Sequence, residues 1–170
     1  MAASLERKKG QERKAAMQKI LIAYFSTSGK TEEMAEFIAE GTRFVGAQAV
    51  LKKMNEIKDP AGIAGFDGYI FGSPTFSLDI PAPVKNFLMM LKKVAVEAKL
   101  AGAFGPYLHD ASYQHDEHAP ELILGILQND LKMKSFDLGA LALKEEIIDT
   151  RDGIKACQEY GRVFAQSLNA

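Results

Sequence analysis

Residues 20–41, ILIAYFSTSGKTEEMAEFIAEG, run from a continuously apolar, β-rich stretch through a hydroxyl-rich turn into a segment of helical period. The apolar run up to Phe25 has the character of a strand buried on both faces, as a covered parallel sheet requires. From Lys30 onward, Met34, Phe37, Ile38 and Gly41 recur at helical intervals. The turn between them reads Ser26-Thr27-Ser28-Gly29-Lys30-Thr31. Its Gly-Lys-Thr suggests a loop for a nucleoside triphosphate. Such a loop needs a glycine five positions before Gly29, where backbone amides close around the phosphates, and Tyr24 stands there instead. No GxGxxG follows any strand, so no stable dinucleotide site is signalled.

What remains suits a single phosphate dianion. Backbone N–H groups at the start of the helix and the hydroxyls of Ser26, Thr27, Ser28 and Thr31 can surround it, and the helix dipole favours its charge. Gly29 lets the backbone approach closely. Taken alone, the turn leaves a second reading open, in which Ser28 or Thr31 only caps the helix.

Outward from this stretch, strand-like and helical segments alternate. Strands are predicted at residues 19–25, 47–54, 68–73, 100–107 and 134–143, the second weakly alternating and nearer an edge. Helices are predicted at 30–42, 81–96, 120–131 and 154–168, with Val84, Phe87, Leu88 and Leu91 on the inner face of the second and Val163, Phe164 and Leu168 on that of the last. A short helical piece opens at Asp59-Pro60. Right-handed crossovers then give an α/β, doubly wound, five-stranded parallel sheet, whose ligands belong beyond the carboxyl ends of the strands where the winding reverses.

At 170 residues and 47% hydrophobic content, the chain can bury one sizeable core. Cys157 is the only cysteine, so no internal disulfide forms, and a reducing, cytoplasmic setting is expected. Residues 1–17 carry Arg7, Lys8, Lys9, Arg13 and Lys14 against Glu6 and Glu12, which leaves residues 18–170 at −4 within a chain total of −1. This divides the chain into a charged, solvated extension, 1–17, and a mildly acidic domain, 18–170. A body without a basic stripe argues against nucleic-acid binding, and no run is apolar enough to span a membrane.

The pattern Ser/Thr-x-Ser/Thr-Gly-x-Thr directly after ILIAYF, followed by EEMAEFIAEG, resembles the phosphate loop and first helix of the flavodoxin family. The likeness continues through FDGYIFGSPTF and PAPVKNFLMML within 66–91, LAGAFGPY at 100–107 and CQEYGRVFAQSL at 157–168. Three loops in the family's order thus cover nearly all of 19–168. The resemblance implies a three-layer α/β/α sandwich with strand order 2-1-3-4-5, and FMN as cofactor with its phosphate at Ser26 to Thr31.

It further implies that Ser73, Pro74, Thr75 and Phe76 flank one face of the isoalloxazine ring, with Phe76 offering it a flat apolar surface. Phe104, Gly105, Pro106 and Tyr107 match the next loop. Relatives there often continue from Tyr into Gly-Trp, where this chain has Leu108-His109, so the second stacking ring is Tyr107 or Tyr113, which follows Asp110. Ser77 stands where one-electron carriers often have a glycine whose peptide flips. Serine resists positive φ by roughly 1 kcal/mol or more, so weaker stabilisation of the one-electron-reduced flavin is expected. His109, His115 and His118 cluster with Asp110, Asp116 and Glu117 and admit three readings: a polar loop entering a helix, a metal site, or a histidine near the flavin.

The resemblance implies an FMN-bearing electron carrier, a monomer or homodimer, taking electrons from a flavodoxin reductase-type donor and passing them to an acceptor protein. Two alternatives stand beside it. One is an FMN-dependent NAD(P)H:quinone-type oxidoreductase, favoured by Ser77 and the modest acidity; the other is a flavin-free interaction protein of the same fold.

Overall fold

The computed structural model describes residues 2–7, 18–76, 79–108 and 118–168. Five strands, β1 (Lys19–Tyr24), β2 (Gln48–Lys53), β3 (Gly68–Gly72), β4 (Leu100–Tyr107) and β5 (Lys134–Lys144), form one parallel sheet in the order β2-β1-β3-β4-β5. Four helices alternate with them: α1 (Lys30–Phe44), α2 (Ala82–Leu91), α3 (Ala119–Asn129) and α4 (Arg151–Ser167). The expected order and the edge position of β2 are both observed. Of the charged extension, residues 2–7 are helical and 8–17 lie outside the described residues.

The period-two geometry of the central strands sorts their side chains between two cores. Leu21, Ala23, Tyr69, Phe71, Ala101 and Ala103 pack with Val84, Phe87 and Leu91 of α2 and Ile123 and Leu127 of α3. Ile20, Ile22, Ile70 and Phe104 pack on the other face with Met34 and Ile38 of α1 and Tyr160 and Phe164 of α4. The helices α1 and α4 touch through their backbones: a Cβ on Gly41 would lie 1.9 Å from the Gln158 carbonyl oxygen, and one on Gly161 would lie 2.0 Å from that of Ile38. Only hydrogen at these positions permits the crossing. Cys157, buried between these helices and the sheet, has its thiol pushed up to about 12 by burial and is chemically quiet.

Two boundaries differ from expectation by three residues or more. The second helix ends at Leu91 rather than Val96, because Val94 and Val96 are spaced like strand residues. The chain leaves the helix through short turns, Lys93 N–H to Met90 O and Val94 N–H to Leu91 O, so that Val96 is buried before β4 begins. The last helix starts at Arg151, three residues early, since the Thr150 hydroxyl caps it by accepting from Gly153 N–H at 3.3 Å.

The β4–β5 ladder is broken between Ala101 and Ala103, where Gly139 has φ 72°. The Tyr160 hydroxyl closes that gap, accepting from Ala103 N–H at 3.1 Å and donating to Gly139 O at 2.7 Å. Burial pushes its pKa well above the ordinary tyrosine value, so it acts as a neutral donor. Tyr160→Phe leaves two buried main-chain groups short of a partner and is expected to lower stability by about 1–3 kcal/mol in chemical denaturation.

Candidate functional site

The loops after β1 and β3 each begin with a backbone hydrogen bond to the neighbouring strand, which extends the sheet past its carboxyl edge. Phe25 N–H donates to Gly72 O at 3.0 Å, and Ser73 N–H donates to Phe104 O at 3.0 Å. β1 is flanked by β2 on one side and β3 on the other, so this edge is where the winding reverses and a crevice is expected.

Gly29 occupies the N-cap of α1 with φ 90° and ψ −9°, a left-handed conformation that glycine adopts freely, and no side chain caps the helix. Neither Ser28 nor Thr31 takes the capping role that the sequence left open. Ser26 Oγ accepts from Gly29 N–H at 3.1 Å, bending the loop back on itself. Ser28 Oγ donates to Glu145 Oε1 at 3.2 Å, and Thr31 is buried. The first-turn amides of Lys30, Thr31 and Glu32 have no acceptor within the helix by geometry, which leaves them for an anion. Lys30 Nζ is engaged by Glu33 at 3.2 Å and Asp149 at 3.6 Å, and the bond to Glu33 raises its pKa. The cation is therefore held by carboxylates, and the loop offers amides and hydroxyls rather than free positive charge.

A polar cleft of about 210 Å³ opens beside the loop, lined by Tyr24, Ser26, Thr27, Gly29, Glu32, Lys53 and Asn55. Sequence reasoning missed Lys53 and Asn55. The signal for them is topological: Lys53 ends β2, where it pairs with Tyr24 of β1, and Asn55 lies just beyond. Tyr24 is nearly buried, and its pKa is raised by that burial first and by Glu32 second.

After β3, Ser73 is buried with its hydroxyl donated to Pro74 O at 2.8 Å. Thr75 Oγ1 accepts from Ala119 N–H at 2.9 Å and so ties this loop to the start of α3. Phe76 is 44% exposed and pairs with Asp79 through reciprocal backbone bonds of 3.1 and 2.8 Å. Asp79 is held by Lys85 and by Ile80 N–H, which lower its pKa.

After Gly102, Phe104 is turned fully into the core, its ring filling the space in front of Gly72. Strand alternation along β4 points residue 104 towards α1 and α4. Only its carbonyl reaches the crevice loops. Gly105 passes so close to the β3 loop that a Cβ would lie 1.8 Å from Ser73 O. Pro106 is buried, Tyr107 is half-buried, and Leu108 is 65% exposed. The Tyr107 ring lies face to face with the His118 imidazole, centroids 4.0 Å apart and planes 14° from parallel. Ser77, His109, Asp110, Tyr113 and His115 lie outside the described residues.

The residues that are present fit a phosphate-bearing flavin. An uncapped helix start suits the phosphate, and an exposed apolar ring at Phe76 suits the flat heterocycle.

No family model matches the chain. Diflavin flavoprotein A 4 of Synechocystis sp. is 31% identical over 163 residues, taking in 93% of this chain and 25% of that protein. Among solved structures, a flavodoxin from the Archaea matches with a TM-score of 0.77 at 24% identity, covering 90% of this chain and 100% of the other. Oxidised Flavodoxin 2 from Bacillus cereus matches with a TM-score of 0.75 at 25% identity, covering 88% and 99%. The chain has the flavodoxin-like fold of these structures. It spans about a quarter of the length of the diflavin relatives that it matches.

In this flavodoxin-like fold the Thr75 to Ala119 bond fixes the start of α3 against the β3 loop. Thr75→Val keeps the shape and removes the acceptor. Stability is expected to fall by about 1–2 kcal/mol, and the Ala119 amide is expected to exchange with solvent faster than in the parent, read by hydrogen exchange.

Proposed function

We propose that this chain binds FMN at the carboxyl edge of the sheet and serves as an electron carrier between a flavodoxin reductase-type donor and an acceptor protein. The observation that carries the reading is the left-handed Gly29 at the N-cap of α1, which leaves the first-turn amides uncapped in a loop otherwise built of hydroxyls. Bound FMN would supply the redox chemistry. Ser26 to Thr31 would hold its phosphate, Phe76 and Tyr107 would cover the heterocycle, and the buried Ser73 and Gly105 would set the spacing of the two covering loops.

Apolar Phe76 and Leu108, exposed at the ends of β3 and β4, border the crevice where a partner would approach. A ring sandwiched by such groups is shielded from water on its faces, and the protein's part is binding, orientation and electrostatics. The first-turn amides accept a dianion without a cation, in keeping with the engagement of Lys30 by Glu33 and Asp149.

The test is a titration of the purified apoprotein with FMN, followed by anaerobic exposure to NADPH with and without a flavodoxin reductase. Binding with quenched flavin fluorescence, and bleaching only when the reductase is present, is the expected result. Rapid bleaching by NADPH alone assigns the chain to the oxidoreductase reading, and failure to bind FMN removes both. Gly29→Val forces a β-branched residue into positive φ and is expected to weaken FMN binding at least tenfold, in the same fluorescence assay, while the fold is retained.

A further inference from the structure

Tyr107 ends β4 and His118 precedes α3, yet their rings stack at 4.0 Å. The imidazole shares in starting the helix, as one half of a capping box with Glu121. His118 also contributes through its main chain: its N–H donates to Glu121 Oε2 at 2.6 Å, and its carbonyl accepts from Glu121 N–H at 3.1 Å. The neighbouring Ala119 N–H is taken by Thr75. The side chain itself is 14% exposed; its Nδ1 stands 3.9 Å from Glu121 Oε2, beyond hydrogen-bond reach, and its Nε2 is buried with no partner among the described residues. The cap holds one edge of the ring, and the face that it shares with Tyr107 holds its plane.

We propose that His118 is a positioning residue for the flavin site: it backs one face of Tyr107 and fixes the plane of that ring, leaving the opposite face to cover the heterocycle. The inference rests on the FMN reading given above. A tyrosine at the end of a strand, followed by an exposed Leu108, has several side-chain rotamers open to it, and ordering it at the moment of binding would cost affinity. The stack does that ordering in advance. Because Thr75 and His118 meet the same helix start, Thr75, Tyr107 and the head of α3 are set together.

The test uses the full chain as parent, His118→Ala, His118→Phe, Tyr107→Ala and the double variant Tyr107→Ala/His118→Ala. FMN affinity is read by fluorescence quenching, and the ring-proton resonances of His118 in the apoprotein give a readout that needs no flavin. The expected results are an upfield ring-current shift of the His118 protons that disappears in Tyr107→Ala, and a loss of FMN affinity in His118→Ala of roughly three- to tenfold. Recovery by His118→Phe, which keeps a flat ring on the same backbone cap, is also expected, with a double variant no weaker than Tyr107→Ala.

Unchanged affinity in His118→Ala, additive losses in the double variant, or a His118→Phe as weak as the alanine variant would overturn the proposal while the FMN reading stood. A parent that shows the ring-current shift but binds no FMN would overturn both. Should His118→Ala fail to fold, His118→Phe and the parent's apoprotein spectrum decide the matter: a phenylalanine variant that binds FMN like the parent, with the shift present, supports the inference, and absence of the shift sinks it.

Discussion

The main-chain amides at the start of α1 are the constraint on which the site depends. Their direction is fixed because β1 is buried on both faces and delivers the chain to the helix at one point and one angle. They are open because a glycine with φ 90° sits at the N-cap in place of a capping serine or threonine. Magnitudes decide that such a place attracts a dianion despite its acidic surroundings. A hydrogen bond to a charged group contributes about 1.5–3 kcal/mol. Unit charges 4 Å apart in bulk water interact by only about 1 kcal/mol, and Asp149 is 61% exposed to that screening. Several amides acting together therefore outweigh the carboxylates of Glu145 and Asp149.

The rest of the crevice follows from the same edge. The Phe25 to Gly72 and Ser73 to Phe104 bonds continue the sheet into the loops, so their positions are those of strand ends rather than of free connections. Gly105 permits the β4 chain to lie against Ser73, and Thr75 holds the β3 loop to α3. Phe25, Ser73, Thr75 and Gly105 are thus set by the fold itself, which suits the described part of the edge to a preformed cofactor site.

Most of the fold was legible in the sequence, because buried parallel strands read as unbroken apolar runs and the helices carry clear apolar stripes. The run ILIAY and the face Val84, Phe87, Leu88, Leu91 are instances, and both are buried as expected. The end of α2 was not legible, since the spacing of Val94 and Val96 competes with the helical period and only the approach to β4 settles it. In the site, the turn 26–31 was readable from its residue types. The strand at 100–107 was legible too, and its alternation is what turns the Phe104 ring into the core while Tyr107 stays at the edge. Lys53, Asn55, Glu145 and His118 were unreadable as neighbours of their partners because each is brought there by long-range topology. Local pattern carries no information about such pairings.

The most direct check of the central claim is the phosphorus-31 chemical shift of FMN bound to the protein, followed from about pH 5 to pH 8. Free phosphate monoesters titrate in this range, with a second pKa of about 6. Held by the amides of the α1 start, the phosphate is expected to stay a dianion and its resonance to remain constant throughout. A bound signal that titrates like free FMN would show that the phosphate rests in solvent and that the turn after β1 does not hold it.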